Sequence, residues 1–327
     1  MFGKDKPTLR EETSRRYWLR YLQLKKQFET ENAIDALSPE EVAAFLIGRK
    51  EMYSMSTFRQ YKASVLYVLR SQYPDHELAI ASLEAESSAG LAKRSTRTSG
   101  RKLKYVPDED WKKLEKTLEN RIETGHKNAL GLLYFLQATL ATGLRPVEWC
   151  YSEAGTDAAS GREILRVKNA KFSNSRANGE FREMYIDGLQ AAETAAVKGA
   201  IAFCSAENDE QAERVLKALR NEFDKTRRLA QCKSGITIYS FRHQFLADAK
   251  KTFADAVLIS ALAGHSSTRT AFEHYGKRRY GSGRVKVTPA PESYDAVRKA
   301  RQEIYKSPAL SRNNGTEVHL SSVGFQP

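Results

Sequence analysis

The feature that most constrains this fold is a gap in apolar periodicity. Between about Ser87 and Lys104 apolar residues stop recurring at helical spacing, and the chain becomes Ser, Thr, Gly and basic residues. Such a stretch reads as a linker and splits the chain in two. The 327-residue length agrees, since a domain usually takes about 100–200 residues. Within 93–104 lie six cations, Lys93, Arg94, Arg97, Arg101, Lys102 and Lys104, and no acid. Two readings stay open here: a solvated tether, or a segment ordered against a polyanion, gaining salt-dependent affinity from counterion release.

The N-terminal part reads as helical. From Glu11 to about Gln27, Tyr17, Leu19, Tyr21 and Leu22 sit among Arg and Lys as in a basic amphipathic helix. Ser38-Pro39-Glu40-Glu41 is a helix start: Ser38 can cap, Pro39 suits the first helical position, and Glu41 completes a capping box. That helix should run to about Lys50. Another should open at Ser56 or Thr57, with Phe58, Tyr61, Val65, Leu66 and Leu69 in helical phase, and stop before Pro74.

The C-terminal part mixes periods. Val106 to Leu118 and Lys127 to Thr142 read as helices, the second ended by Gly143, with Arg145 in the turn before Pro146. There the arginine is either a surface cap or part of a site. Arg162 to Val167 and Phe181 to Ile186 alternate as strands of a hairpin, with Lys168, Lys171 and Arg176 at or near its tip. Helices follow over 188–204, 208–231, 238–251 and 254–263, and a last one over 291–306. Tyr239, Arg242 and His243 share one helix face by their spacing. The sequence therefore predicts a mainly α chain with a small antiparallel β element, an α+β fold. Ala263-Gly264-His265-Ser266-Ser267 reads as a helix stop and a new cap, placing Tyr275 on the helix beyond.

Charge narrows the function. Lys and Arg number 53 against 40 Asp and Glu, a net +13, which suits a polyanion such as nucleic acid. No apolar run approaches the ~18 residues a membrane helix needs, so no membrane partner is expected and a soluble, cytoplasmic, nucleoid-associated protein is. Cys150, Cys204 and Cys232 are too dispersed for a zinc site or disulfide framework and read as reduced and structural.

Taken together, Thr142-Gly-Leu-Arg145-Pro-Val-Glu148, Asn169-Ala-Lys171, Tyr239-Ser-Phe-Arg242-His243 and Ala263-Gly-His265 with Tyr275 resemble, in order and spacing, the motifs of the tyrosine recombinase (phage integrase) family. The resemblance covers about residues 104–285, and Ser38 to Leu69 is similar to the helical core-binding domain that precedes the catalytic domain there. It implies a core-binding domain over 1–86, a basic linker over 87–104, a catalytic domain over 105–290, and a C-terminal helix and tail over 291–327.

The implied activity is site-specific DNA recombination or integration through a 3′-phosphotyrosyl intermediate, as in mobile elements. Attack on a phosphodiester builds negative charge on a five-coordinate phosphorus, which two permanently charged guanidinium forks can hold. By resemblance these belong to Arg145 and Arg242, with Tyr275 the nucleophile, His265 a donor to the phosphate, and Lys171 the acid for the departing 5′ oxygen. Lys168 and Tyr280 are the runners-up for acid and nucleophile, and Glu148 reads as a brace. The linker cations would contact DNA. One departure stands out: Tyr239 occupies the position where the family most often has histidine, and a phenol with a pKa near 10 is a poor proton shuttle. Either His243 compensates, or base assistance to Tyr275 is in doubt and slow chemistry or reliance on His265 follows.

Bond energy stays in the covalent intermediate, so no cofactor or metal is implied. Implied partners are double-stranded DNA held between the two domains, a homotetramer on two DNA sites, and accessory DNA-bending proteins. Rival readings are a topoisomerase-like or telomere-resolving enzyme and a DNA-binding protein that keeps the fold without cutting.

Overall fold

The computed structural model describes residues 11–91, 102–172, 177–270 and 275–306. The chain divides into two compact units, Met1–Gly100 and Arg101–Pro327.

The first unit holds α1 (Glu11–Asn32), α2 (Pro39–Gly48), α3 (Met55–Gln72) and α4 (Glu77–Ala85). The capping box forms as read: Glu41 N donates to Ser38 Oγ at 3.2 Å, and Ser38 N donates to the Glu41 carboxylate at 2.7 Å. α3 opens earlier than the sequence suggests, because Ser54 rather than Ser56 caps it, accepting from Thr57 N at 3.2 Å. Phe28, Val42, Leu46, Phe58, Val65 and Leu69 are fully buried between these helices.

The second unit begins with α5 (Asp108–Glu123) and α6 (Ala129–Thr142). Leu132, Leu133, Phe135 and Leu136 of α6 are all buried, so this helix is apolar all round and forms the centre of the bundle. A 3₁₀ turn over Pro146–Tyr151 leads into an antiparallel sheet of β1 (Ser152–Thr156), β2 (Glu163–Lys168), β3 (Phe181–Tyr185) and β4 (Thr288–Pro289), in that order across the sheet. The expected hairpin is its middle, paired Val167 to Arg182 and Leu165 to Met184. β1 and β4 lie outside the hairpin that the sequence reading foresaw.

α7 (Ala191–Cys204), α8 (Asp209–Leu229), α9 (Ile238–Thr252) and α10 (Ala256–Ala263) complete the bundle. After β4, α11 (Pro291–Lys306) packs on α10, with Val297 against Val257 and Ala261, and Tyr294 Oη donating to Asp255 at 2.6 Å. Cys150, Cys204 and Cys232 are free and buried. No helix among the described residues is long and apolar enough to cross a membrane.

Candidate active site

Two chain reversals set the site. α6 stops because Gly143 takes a left-handed conformation, φ +72°, with the Phe245 ring filling the space a side chain would need. The chain then turns inward, and Arg145 is buried rather than capping a surface turn. α10 stops the same way at Gly264, φ +64°, where a Cβ would strike Asn169 Oδ1 and Arg182 Nη1. The carbonyls at these two helix ends carry partial negative charge. Arg242, fully buried on α9, spans them: Nη1 donates to Gly143 O, and Nη2 donates to Ala263 O at 2.8 Å.

Beneath the arginines lies one carboxylate. Glu148 Oε1 accepts from Arg145 Nη1 at 2.6 Å, Oε2 accepts from Arg182 Nη2 at 2.8 Å, and Arg242 Nη1 is 3.8 Å away. Glu148 also accepts the Arg145 backbone N–H at 2.7 Å, closing the turn on itself. Burial alone would raise its pKa, but Arg182, Arg145 and Arg242 outweigh this and hold it well below the usual carboxylate range. Three guanidiniums against one carboxylate leave two buried positive charges uncompensated within this cluster. Arg145 Nε and Arg242 Nε have no hydrogen-bond partner among the described residues, an arrangement that fits an anion.

Tyr275 sits against this cradle, buried, in a bend rather than on the expected helix. Its ring centroid lies 5.1 Å from the Arg242 guanidinium carbon and 5.2 Å from the His265 ring. Burial would raise the phenol's pKa, yet Arg242 and Arg145 bring it down to about 8. Tyr239 Oη lies 3.2 Å from Tyr275 Oη. Tyr239 is itself pushed up to about 12, by burial first, so it keeps its proton and is the donor whenever Tyr275 is ionised. His265 is held well below its ordinary value by burial and then by the arginines, and is neutral. Arg242 Nη2 can only donate, so at 3.3 Å the His265 Nε2 accepts and the imidazole proton stays on Nδ1. That Nδ1 has no partner among the described residues, which leaves it as a donor. His243, 5.0 Å from the Tyr275 ring, is lowered to about 4, by burial and then by Lys104, Arg242 and Lys250.

The structure thus gathers Arg145, Tyr239, Arg242, His265 and Tyr275. It does not gather Lys171, which is exposed in the turn after β2, while Lys168 ends that strand with its ammonium 5.9 Å from the Tyr151 ring. Tyr280, the alternative nucleophile, has its hydroxyl bound by Arg279 Nη2 at 2.8 Å. Of the linker cations, Lys102 and Lys104 are exposed; Lys93, Arg94, Arg97 and Arg101 lie outside the described residues, as does Arg176. Among the described residues no group of His, Cys, Asp and Glu side chains could hold a metal ion.

Arg182 was missed by the sequence reading. It is 1% exposed on β3, with Nε donating to Leu262 O at 3.1 Å and Nη1 to Asn169 Oδ1, so it ties the sheet to the end of α10. The signal was there: Arg182 is in phase with Met184 on the inward face of its strand, where an arginine needs a buried acid.

No protein-family model matches the chain, and no curated protein matches it in sequence. Among solved structures, it is similar to a lambda integrase dimer bound to a core site, at 13% identity and TM-score 0.49, over 85% of this chain and 90% of that one. It is also similar to the XerH site-specific recombinase bound to a palindromic difH substrate, at 14% identity and TM-score 0.44, over 90% of this chain and 79% of that one. A third is protelomerase TelA with a DNA hairpin product, at 13% identity and TM-score 0.46, over 90% and 94%.

Proposed function

We propose that this chain is a tyrosine recombinase that breaks and rejoins double-stranded DNA through Tyr275. The observation that carries the reading is a buried phenol set against two guanidiniums whose charge exceeds that of their only carboxylate. In this mechanism Tyr275 Oη attacks the scissile phosphorus and the P–O5′ bond breaks, leaving a 3′-phosphotyrosyl link and a free 5′ hydroxyl. Arg145 and Arg242 hold the non-bridging oxygens as negative charge builds, and His265 donates its Nδ1 proton to one of them as a hydrogen bond. Lys171, with Lys168 as the alternative, is the proton donor to the departing 5′ oxygen once DNA is bound. Attack of a 5′ hydroxyl on the phosphotyrosine reverses the step and reseals a strand.

Base assistance is largely dispensable here. With a pKa of about 8, roughly a tenth of the Tyr275 phenol is ionised at pH 7 in the free protein. Tyr239 then serves as a hydrogen-bond donor to the phenolate, a task a phenol performs as well as an imidazole. His243, lowered to about 4, is too weak a base to replace the histidine absent at 239.

We assign DNA contact to the linker cations Lys93, Arg94, Arg97, Arg101, Lys102 and Lys104, and core binding, linker, catalysis and tail to 1–86, 87–104, 105–290 and 291–327. Exchange between two duplexes breaks every participating strand once, and each copy carries one nucleophile, so the active assembly is a homotetramer on two DNA sites. DNA-bending proteins would assist it, in the cytoplasm at the nucleoid.

The test is a nicked duplex on which cleavage releases the short strand and traps the protein. A denaturation-resistant adduct that disappears in Tyr275→Phe is expected. Tight DNA binding with no adduct from the wild-type protein would instead mean a DNA-binding protein that does not cut.

A further inference from the structure

The segment that follows the nucleophile is held by residues far from it in sequence. Gly276 directly follows Tyr275, and a Cβ there would lie 2.4 Å from His243 O and 2.7 Å from Lys104 O. Its carbonyl accepts from the buried Lys250 Nζ at 2.7 Å. A few residues on, Tyr280 stacks face to face on Tyr105, with centroids 4.2 Å apart and planes within 5°. Gln244 joins the two stretches, accepting from Val106 N at 3.1 Å and donating to Tyr280 O at 2.9 Å. The Leu103–Val106 stretch is in turn pinned at its start, where Leu103 N donates to Gly235 O at 2.8 Å and Ser240 Oγ donates to Leu103 O at 2.7 Å.

We propose that Leu103–Val106 is a strap that positions the nucleophile: Tyr105, acting through Tyr280 and Gly276, fixes where the Tyr275 hydroxyl meets the arginine cradle. The inference rests on the recombinase reading of that cradle. Two features make the strap more than general packing. α9 supplies Tyr239 and Arg242 to the site and, from its adjoining turns, Ser240, Gln244 and Lys250 to the strap and the Gly276 carbonyl, so both are referenced to one rigid helix. Directly after Tyr275, Gly276 has no room for a side chain between His243 O and Lys104 O, so the chain leaving the nucleophile runs hard against the strap itself. A nucleophile whose following chain is held in this way keeps its in-line approach, and a displacement of about 1 Å can cost roughly a hundredfold in rate.

The experiment compares Tyr105→Ala and Tyr105→Phe in the full chain, measuring DNA affinity, single-turnover adduct formation on the nicked duplex, and ultraviolet titration of the Tyr275 phenol. Tyr105→Ala should form adduct roughly 10–100-fold more slowly at unchanged affinity. Its Tyr275 phenol should titrate closer to the ordinary value near 10. Tyr105→Phe keeps the stacked ring and should behave as wild type in all three. The proposal is overturned if Tyr105→Ala cleaves at the wild-type rate, if Tyr105→Phe is as slow as Tyr105→Ala, or if affinity and rate fall together. Should the wild-type protein form no adduct, the recombinase reading fails while the titration still decides this one: an unmoved phenol in Tyr105→Ala rejects the strap, and a shifted one supports it.

Discussion

The two ends of the proposed phosphate site are built in opposite ways. The cradle of Arg145, Arg182, Arg242 and Glu148 is buried, fully cross-linked and tied to two helix ends, whereas Lys171 stands exposed in a turn with no polar partner among the described residues. Charge stabilisation gains most from groups fixed before the substrate arrives, because nothing then has to reorganise as negative charge develops. A proton donor gains from the reverse: held beside uncompensated guanidiniums, an ammonium would be repelled, whereas on an exposed turn it can follow the DNA backbone in. The contrast teaches that the positive charge of this site is fixed in place before DNA arrives, whereas its proton donor is not.

Perturbing either end should separate them. Glu148→Gln removes the only carboxylate from three buried guanidiniums and should destabilise the second unit by about 3–5 kcal/mol, read by chemical denaturation. If stability is unchanged, the cradle is not the interlocked unit described here. Arg145→Ala and Arg242→Ala should each slow adduct formation by roughly 10²–10³-fold, with DNA binding nearly intact because many other cations meet the backbone. Normal cutting by both would remove the charge clamp from the mechanism. Lys171→Ala should lose about a hundredfold in cleavage without loss of stability, and a substrate with sulfur as the bridging 5′ atom should restore it, since a thiolate leaves without a proton. Failure of that rescue, with rescue in Lys168→Ala instead, would move the acid to the strand end. Tyr239→Phe deletes one hydrogen bond to the phenolate and should cost less than about tenfold, moving the inflection of kcat/KM to higher pH.

How far this could be read from the sequence differs between the same two ends. Arg145, Tyr239, Arg242, His265 and Tyr275 were legible through the family motifs they resemble; local spacing alone left Arg145 as either a surface cap or part of a site and put Tyr275 on a helix, where the structure has a bend. Arg182 was half legible: its phase with Met184 marked it as inward, but its partner Glu148 lies 34 residues away and local rules could not name it. β1 has four exposed residues out of five and β4 has two residues in all, so neither offers an alternating pattern to find. The reading opened α3 at Ser56 or Thr57, whereas Ser54 caps it; the cap rests on a bond to Thr57 N that helix periodicity does not reveal. Tyr280 looked like a spare nucleophile, and its stacking on Tyr105 joins residues at opposite ends of the catalytic stretch, beyond the reach of any local pattern.

Most of the account turns on one property, that the buried arginines make Tyr275 acidic before DNA binds. Ultraviolet titration of free wild-type protein, with the Tyr275→Phe trace subtracted, measures it. A single phenol titrating near pH 8 is expected, so that kcat/KM for cleavage rises as pH approaches 8 and levels above it as the phenolate fills. A Tyr275 phenol that titrates at 10 or higher would contradict the account, because burial would then have won over the two guanidiniums and the nucleophile would need a base that this site does not supply.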